Sequence, residues 1–307
     1  MSLSLILLPL LMQAEPRVSG GAAPALKHPP AIERGRSPRR AAASTPPAVP
    51  VASRLETCMS AAASEPTTAL ELAELWLAES EPTGHGEAQL CLGSAEAALD
   101  RWDEAEAAFL AGRDAAPGTN LALRAKLGAM AGNAALARSA PDRALAALDS
   151  AHADALVAAD TALAGDIAMD RARALVALKR EAEAAAALTE ARTSNPANPQ
   201  AWLLSATLSR RLGKLAEAQS QIEQAGLLLP VDPEVGLEAG VIAVLAGHDE
   251  AARRSWQSVI AAAPGSEAGK TAKTYIEQLG PAPVTAPVTA PATAPVPAPA
   301  SAVTPGR

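Results

Sequence analysis

The sequence predicts an all-α fold, a solenoid of helical hairpins flanked by two tails, and three observations carry that reading. Alanine is by far the commonest of the 307 residues, while aromatics amount to 2%. Such a mix suits thin, closely packed helices and disfavours sheets, whose strands want β-branched and aromatic side chains. Proline is concentrated at the ends, leaving nine between residues 51 and 280. Of these, Pro196, Pro230 and Pro264 lie 34 apart, as do Pro199 and Pro233. Proline settles at helix boundaries, so this spacing measures a structural unit, and a fixed period in this range signals a solenoid. The third observation is a double row. Ala105, Ala144, Ala184, Ala218 and Ala252 are each followed four residues later by Phe109, Leu148, Leu188, Ile222 or Trp256. Twelve residues before those alanines stand Gly93, Gly132, Ala172, Ala206 and Gly240, all small, as tightly crossing helices require.

Taken in order, the chain opens with an apolar run over 3–12 that is too short to span a bilayer as a helix. It matches the apolar part of a signal peptide over 1–14, with cleavage after Ala14. The absence of Lys or Arg before the run and the bulky Met12 depart from that pattern, so an uncleaved apolar start stays open as the other reading. Residues 15–50 are rich in Pro and Arg without helical period and read as a disordered linker. Its Arg34, Arg36, Arg39 and Arg40 suit either a solvated linker or contact with anionic lipid, so any membrane contact runs through the tails. Residues 51–280 carry 31 acidic and 19 basic side chains, a balance of −12. That acidity argues against nucleic acid as a partner of the folded part. Residues 281–307 repeat Ala-Pro-Val-Thr units, a composition that favours an extended, unpaired spacer.

The residues on the 34-residue ruler resemble the tetratricopeptide repeat (TPR) family, whose pattern places a small residue at position 8, Ala at 20, a large apolar residue at 24 and Pro at 32. Unit 86–119 carries Gly93, Trp102, Ala105, Phe109 and Pro117 in that frame, unit 199–232 carries Trp202, Ala218, Ala225 and Pro230, and unit 233–266 carries Gly240, Trp256 and Pro264. Units 125–158 and 165–198 are weaker, with Leu156 in place of Pro and Arg171 at position 7. Residues 120–124 and 159–164 are inserted before them, as added helix or longer loops. Residues 50–83 form a degenerate unit with Ala69 and Trp76, and 267–280 a cap helix. The resemblance implies a right-handed α-α superhelix of five to six hairpins. It implies a fold more specifically than a function.

Chemistry is sparse. The four histidines, His28, His85, His152 and His248, show no metal-ligand spacing, and no phosphate loop or nucleophile elbow occurs. Asp149 and His152, three apart, read as a surface pair. No catalytic residue, metal ligand or small-molecule cofactor is indicated. In the repeat frame Cys58 and Cys91 fall on neighbouring first helices, which leaves two readings open: a disulfide in an exported protein, or two buried thiols.

What the resemblance implies is binding of a protein or peptide partner in the concave groove lined by first helices. The expected groove residues are Leu90, Ala129, Met169, Leu203 and Leu237 as an apolar floor at position 5, with Lys126, Asn133, Arg173 and Arg210 around it and Arg211 beside Arg210. The Lys and Asn set with which chaperone-binding members grip a terminal carboxylate is missing: those pairs are Leu90/Ser94 and Ala129/Asn133. The expected function is a non-enzymatic interaction scaffold, periplasmic or secreted in a bacterium. The alternative is a cytoplasmic regulatory or adaptor subunit of an enzyme complex.

Overall fold

In the computed structural model the described residues are 53–281; the expected signal segment and linker, and all of the expected tail beyond Pro281, lie outside them. Thirteen α-helices and one short 3-10 turn (Pro82–Gly84) account for the described residues. They pair as hairpins: α1 (Arg54–Ser64) with α2 (Pro66–Glu79), α3 (His85–Ala98) with α4 (Trp102–Ala115), and α5 (Leu121–Ala137) with α6 (Pro141–Val157). The series continues with α7 (Thr161–Ala177) and α8 (Glu181–Ser194), α9 (Pro199–Arg211) and α10 (Leu215–Leu228), α11 (Pro233–Leu245) and α12 (Asp249–Ala262), and ends on α13 (Glu267–Leu279).

The two kinds of connection are written differently in the sequence. First helices mostly begin on a side-chain cap: Ser53, Asn120, Asp160, Asn198, Asp232 and Ser266 each accept a hydrogen bond from a backbone N–H of the opening turn. Second helices have no such cap. Their entry is set by the preceding helix end, where one residue turns left-handed. Asp100, Ser139, Lys179, Gly213 and Gly247 do this within hairpins, and Ala159 does it between α6 and α7. At each of the six, the next N–H reaches back to the carbonyl five residues earlier, for example Arg180 to Leu175 at 2.8 Å and His248 to Ala243 at 2.8 Å.

The inserted residues do not loop out. They lengthen helices, so that α5, α6 and α7 have 17 residues where their neighbours have 13 or 14. Inside each hairpin the small and large rows meet. Ala69, Ala105, Ala144, Ala184, Ala218 and Ala252 are all fully buried. A Cβ on Gly93 would lie 2.5 Å from the Phe109 ring, and one on Gly132 would lie 2.5 Å from Leu148. The small residue is therefore the socket for the large one, and interlocking of this kind supplies much of the core in a chain so poor in aromatics. Cys58 and Cys91 are joined as a disulfide that ties α1 to α3, their Cα atoms 6.0 Å apart. The fully buried side chains around it are all alanines, Ala62, Ala69, Ala73 and Ala95, with Met59, Leu70, Leu72 and Leu92 partly buried against them.

Successive first helices touch: α1 with α3, α3 with α5, α5 with α7, α9 with α11 and α11 with α13. Successive second helices make no comparable contact. The stack therefore curves with the first helices on its inner wall and the second helices spread outside.

Candidate functional site

The inner wall is built from positions 2, 5, 9, 12 and 13 of the first helices, and the structure corrects its expected floor. Leu90, Ala129 and Leu203 are 1%, 8% and 7% exposed and belong to the core between helices. Small neighbours let these helices approach so closely that position 5 is closed over. Met169 and Leu237 remain half-buried, and Lys126 and Asn133 are exposed.

Two of the expected cations are also spent. Arg173 is ion-paired with Asp170, whose other oxygen accepts from Asn133 Nδ2 across the α5–α7 seam at 2.8 Å. Arg210 Nε donates to Glu238 Oε1 at 2.6 Å across the α9–α11 seam, both side chains largely buried. Asn198 likewise donates to Asp166 at 3.1 Å. Burial pushes the Asp170 carboxyl above the ordinary carboxylate range, against the opposing pull of Arg173 and the Asn133 hydrogen bond. These polar groups staple neighbouring helices together and leave little charge on offer. Lys126 and Arg211, exposed and without an ion-pair partner among the described residues, are the cations that remain.

What the wall presents instead is an apolar row one to two turns further along the same helices. Leu136 on α5, Val176 on α7, and Val241 and Val244 on α11 are half-buried, and Leu245 is 43% exposed. α11 is apolar nearly all round. A helix of that kind in a two-layer stack cannot bury every face. Position 5 is apolar in every unit, whereas positions 9, 12 and 13 alternate between polar and aliphatic residues, so periodicity marks the first and not the second. Arg211, flanked by Val244 and Leu245 on the neighbouring helix in the repeat frame, completes the row.

Outside the wall, the expected Asp149–His152 pair is not made. Asp149 receives Arg171 Nε at 2.7 Å, and His152 Nε2 meets Glu190 Oε1 at 2.7 Å, each side chain reaching to a neighbouring helix. A cavity of about 280 Å³ is lined by Asp149, Arg171, Glu190, Arg180 and Glu183, side chains already paired among themselves. Glu106, fully buried on α4, is gripped by Arg138 at 3.1 Å and Arg143 at 2.9 Å from the next hairpin. Apart from the Arg180–Glu183 pair at the start of α8, these contacts join neighbouring helices. Among the described residues no three His, Cys, Asp or Glu side chains are grouped to hold a metal, and no helix is long and apolar enough to cross a membrane.

Hairpins stacked in register, with small-to-large sockets and a continuous inner wall, define a helical-repeat solenoid. No family model matches the chain, and no curated protein matches it. Among solved structures it is similar to PilW, a type IV pilus biogenesis factor, at 19% identity and a TM-score of 0.58, covering 71% of this chain and 96% of PilW. It is similar to PilF of Pseudomonas aeruginosa at 13% identity and a TM-score of 0.59, covering 72% and 96%. YrrB, described as a TPR protein with an unusual peptide-binding site, aligns at 19% identity with a TM-score of 0.47 over 69% and 99%. The fold is that of the tetratricopeptide solenoids.

Proposed function

We propose that this chain is a protein-interaction scaffold that holds an apolar segment of a partner protein against its inner wall, and that it works outside the cytoplasm. The observation that carries the first part is the row Val176, Val241, Val244 and Leu245. Leu245 is exposed and the three valines are half-buried, on a wall where Arg173 and Arg210 are already paired with carboxylates. Laying apolar anchors into such a groove is a recurrent mode of peptide recognition, and burial of each aliphatic side chain contributes about 1.5–3 kcal/mol. The bond between Cys58 and Cys91 supports the second part, because disulfides persist in oxidising compartments. The apolar run over 3–12 agrees with it.

The test is a photo-reactive residue placed at Leu245 or Arg211 in the native host, with the outer-face residue Leu75, 52% exposed, as control. A discrete adduct is expected from the wall positions, lost on Val241→Asp, and none from Leu75. Equal adducts from both faces would refute the site. Compartment is read from the intact mass of the purified protein. Loss of residues 1–14, with the mass rise of two hydrogens on reduction, is the outcome expected of an exported protein. A full-length mass without that rise refutes export.

A further inference from the structure

The apolar row has an occupant of matching chemistry within the same polypeptide. Beyond Pro281 the sequence continues for 26 residues, seven of them proline, with Val284, Val288, Val296 and Val303 spaced among alanines and threonines. It carries no charge before Arg307. We propose that residues 282–307 dock in cis on the inner wall, along Val244, Leu245, Val241 and Val176, and that a partner must displace them.

The place where the tail begins supports this. α13 is the last of the first-helix series and packs directly on α11. Leu279 in its final turn and Val244 of α11 lie against the same core cluster. Gly280 is left-handed, φ 78°, so the chain turns off the helix axis there, next to the end of α11 where the row is widest. From α11 back to α5 is three helix spacings, about 30 Å at roughly 10 Å each. A tail of this length reaches about 80 Å at ~3.1 Å per residue, so it spans the row without strain.

Hydrogen bonding is compatible as well. Each proline lacks an N–H and keeps its carbonyl, so the carbonyls of this segment outnumber its N–H groups. Arg211, exposed and without an ion-pair partner among the described residues, is a guanidinium that can only donate. Charge matches too. A strongly acidic or basic segment would have to compete with the Asp170–Arg173 and Glu238–Arg210 pairs, whereas an uncharged one leaves them intact.

The inference uses the wall described above but not its partner, so its test runs on the purified full chain alone. Both native cysteines are bonded to each other, so Thr289→Cys introduces the only thiol free to take a nitroxide label. The effective concentration of a segment tethered this closely is on the order of millimolar, and methyl signals of Val241, Val244 and Leu245 should broaden about fivefold more than those of Leu75 and Leu110 on the second helices. Val288→Asp in the tail, which leaves the solenoid untouched, should return the row to the control level. Equal broadening of row and controls, or broadening indifferent to Val288→Asp, overturns the proposal. Broadening that vanishes on dilution also overturns it, by assigning the contact to another copy. None of these outcomes bears on whether a partner cross-links to the wall.

Discussion

Replacing Ala159 by glycine should stabilise the protein, and replacing Gly247 by alanine should destabilise it, although both sites are exposed and a Cβ at Gly247 would meet nothing within 4 Å. Each occupies the left-handed position that ends a helix, with φ 55° at Ala159 and 80° at Gly247. Each is followed by an N–H that closes the turn, from Asp160 to Ala155 at 3.1 Å and from His248 to Ala243 at 2.8 Å. The backbone task is the same; only one residue is suited to it. A side chain in this region costs roughly 1–2 kcal/mol through the clash of Cβ with the following carbonyl. Glycine gives back about 0.4–1 kcal/mol through its freer unfolded state. The net gain for Ala159→Gly is therefore about 0.5–1 kcal/mol, and Gly247→Ala loses a similar amount. In a cooperative unit of 150–250 residues each kcal/mol moves Tm by about 2–4 °C. Thermal unfolding followed by far-UV circular dichroism should show the two variants displaced from the parent in opposite directions. Two shifts of the same sign, or an Ala159→Gly protein that melts earlier, would refute the reasoning. Ser139→Gly and Lys179→Gly, at φ 59° and 60° on separate hairpins, should add to the gain, and Asp100→Gly should add least because aspartate tolerates this region.

Three further outcomes are expected. Gly93→Ala drives a methyl to 2.5 Å from the Phe109 ring and should cost about 1–3 kcal/mol in urea unfolding, whereas Gly118→Ala, with nothing near it, should be close to neutral. Cys58→Ser with Cys91→Ser removes a cross-link between residues 33 apart and should cost about 4 kcal/mol in the chain-entropy model. Because the surrounding core is nearly all alanine, hydrogen exchange should show that loss first in α1 and α2. Asp170 has its pKa raised by burial, so it takes up a proton on folding and contributes stability at low pH that disappears as pH rises through its folded-state value. Stability of the parent relative to Asp170→Asn should therefore fall as pH rises from about 4, and a difference that is flat or rises with pH would contradict the burial argument.

Much of the fold was legible because helical packing repeats a local rule. A proline every 34 residues marks boundaries, alanine at one position lets two helices touch, and a glycine or alanine twelve residues earlier receives the large side chain four residues after it. Those constraints act between residues close in sequence, so periodicity exposes them. The inserted residues before units 125–158 and 165–198 left helix and loop equally open; the structure made 121–124 and 161–164 helix, where Leu121, Leu123 and Leu163 are partly buried and Ala164 fully.

The wall was legible only as a face. Which helix side points inward follows from the frame, but how far each side chain is covered depends on how closely the next helix approaches. Ala125, Gly128 and Gly132 on α5 bring its neighbours in, and with them Ala129 passes from groove floor to core. Pairing is less local still: Asn133 meets Asp170 37 residues away and Arg210 meets Glu238 28 residues away. Arg210 is neutralised by a carboxylate on the next helix, which no single unit shows, whereas Arg173 pairs with Asp170 three residues away on its own helix.

The sequence by itself determined that the chain is a helical-repeat solenoid, since propensity, caps and sockets act within one unit. Only the tertiary structure decided that Leu90, Ala129 and Leu203 belong to the core and that Arg210 is spent on Glu238 of the next helix. Burial and ion pairing across a seam depend on the distance between helices that no single unit contains.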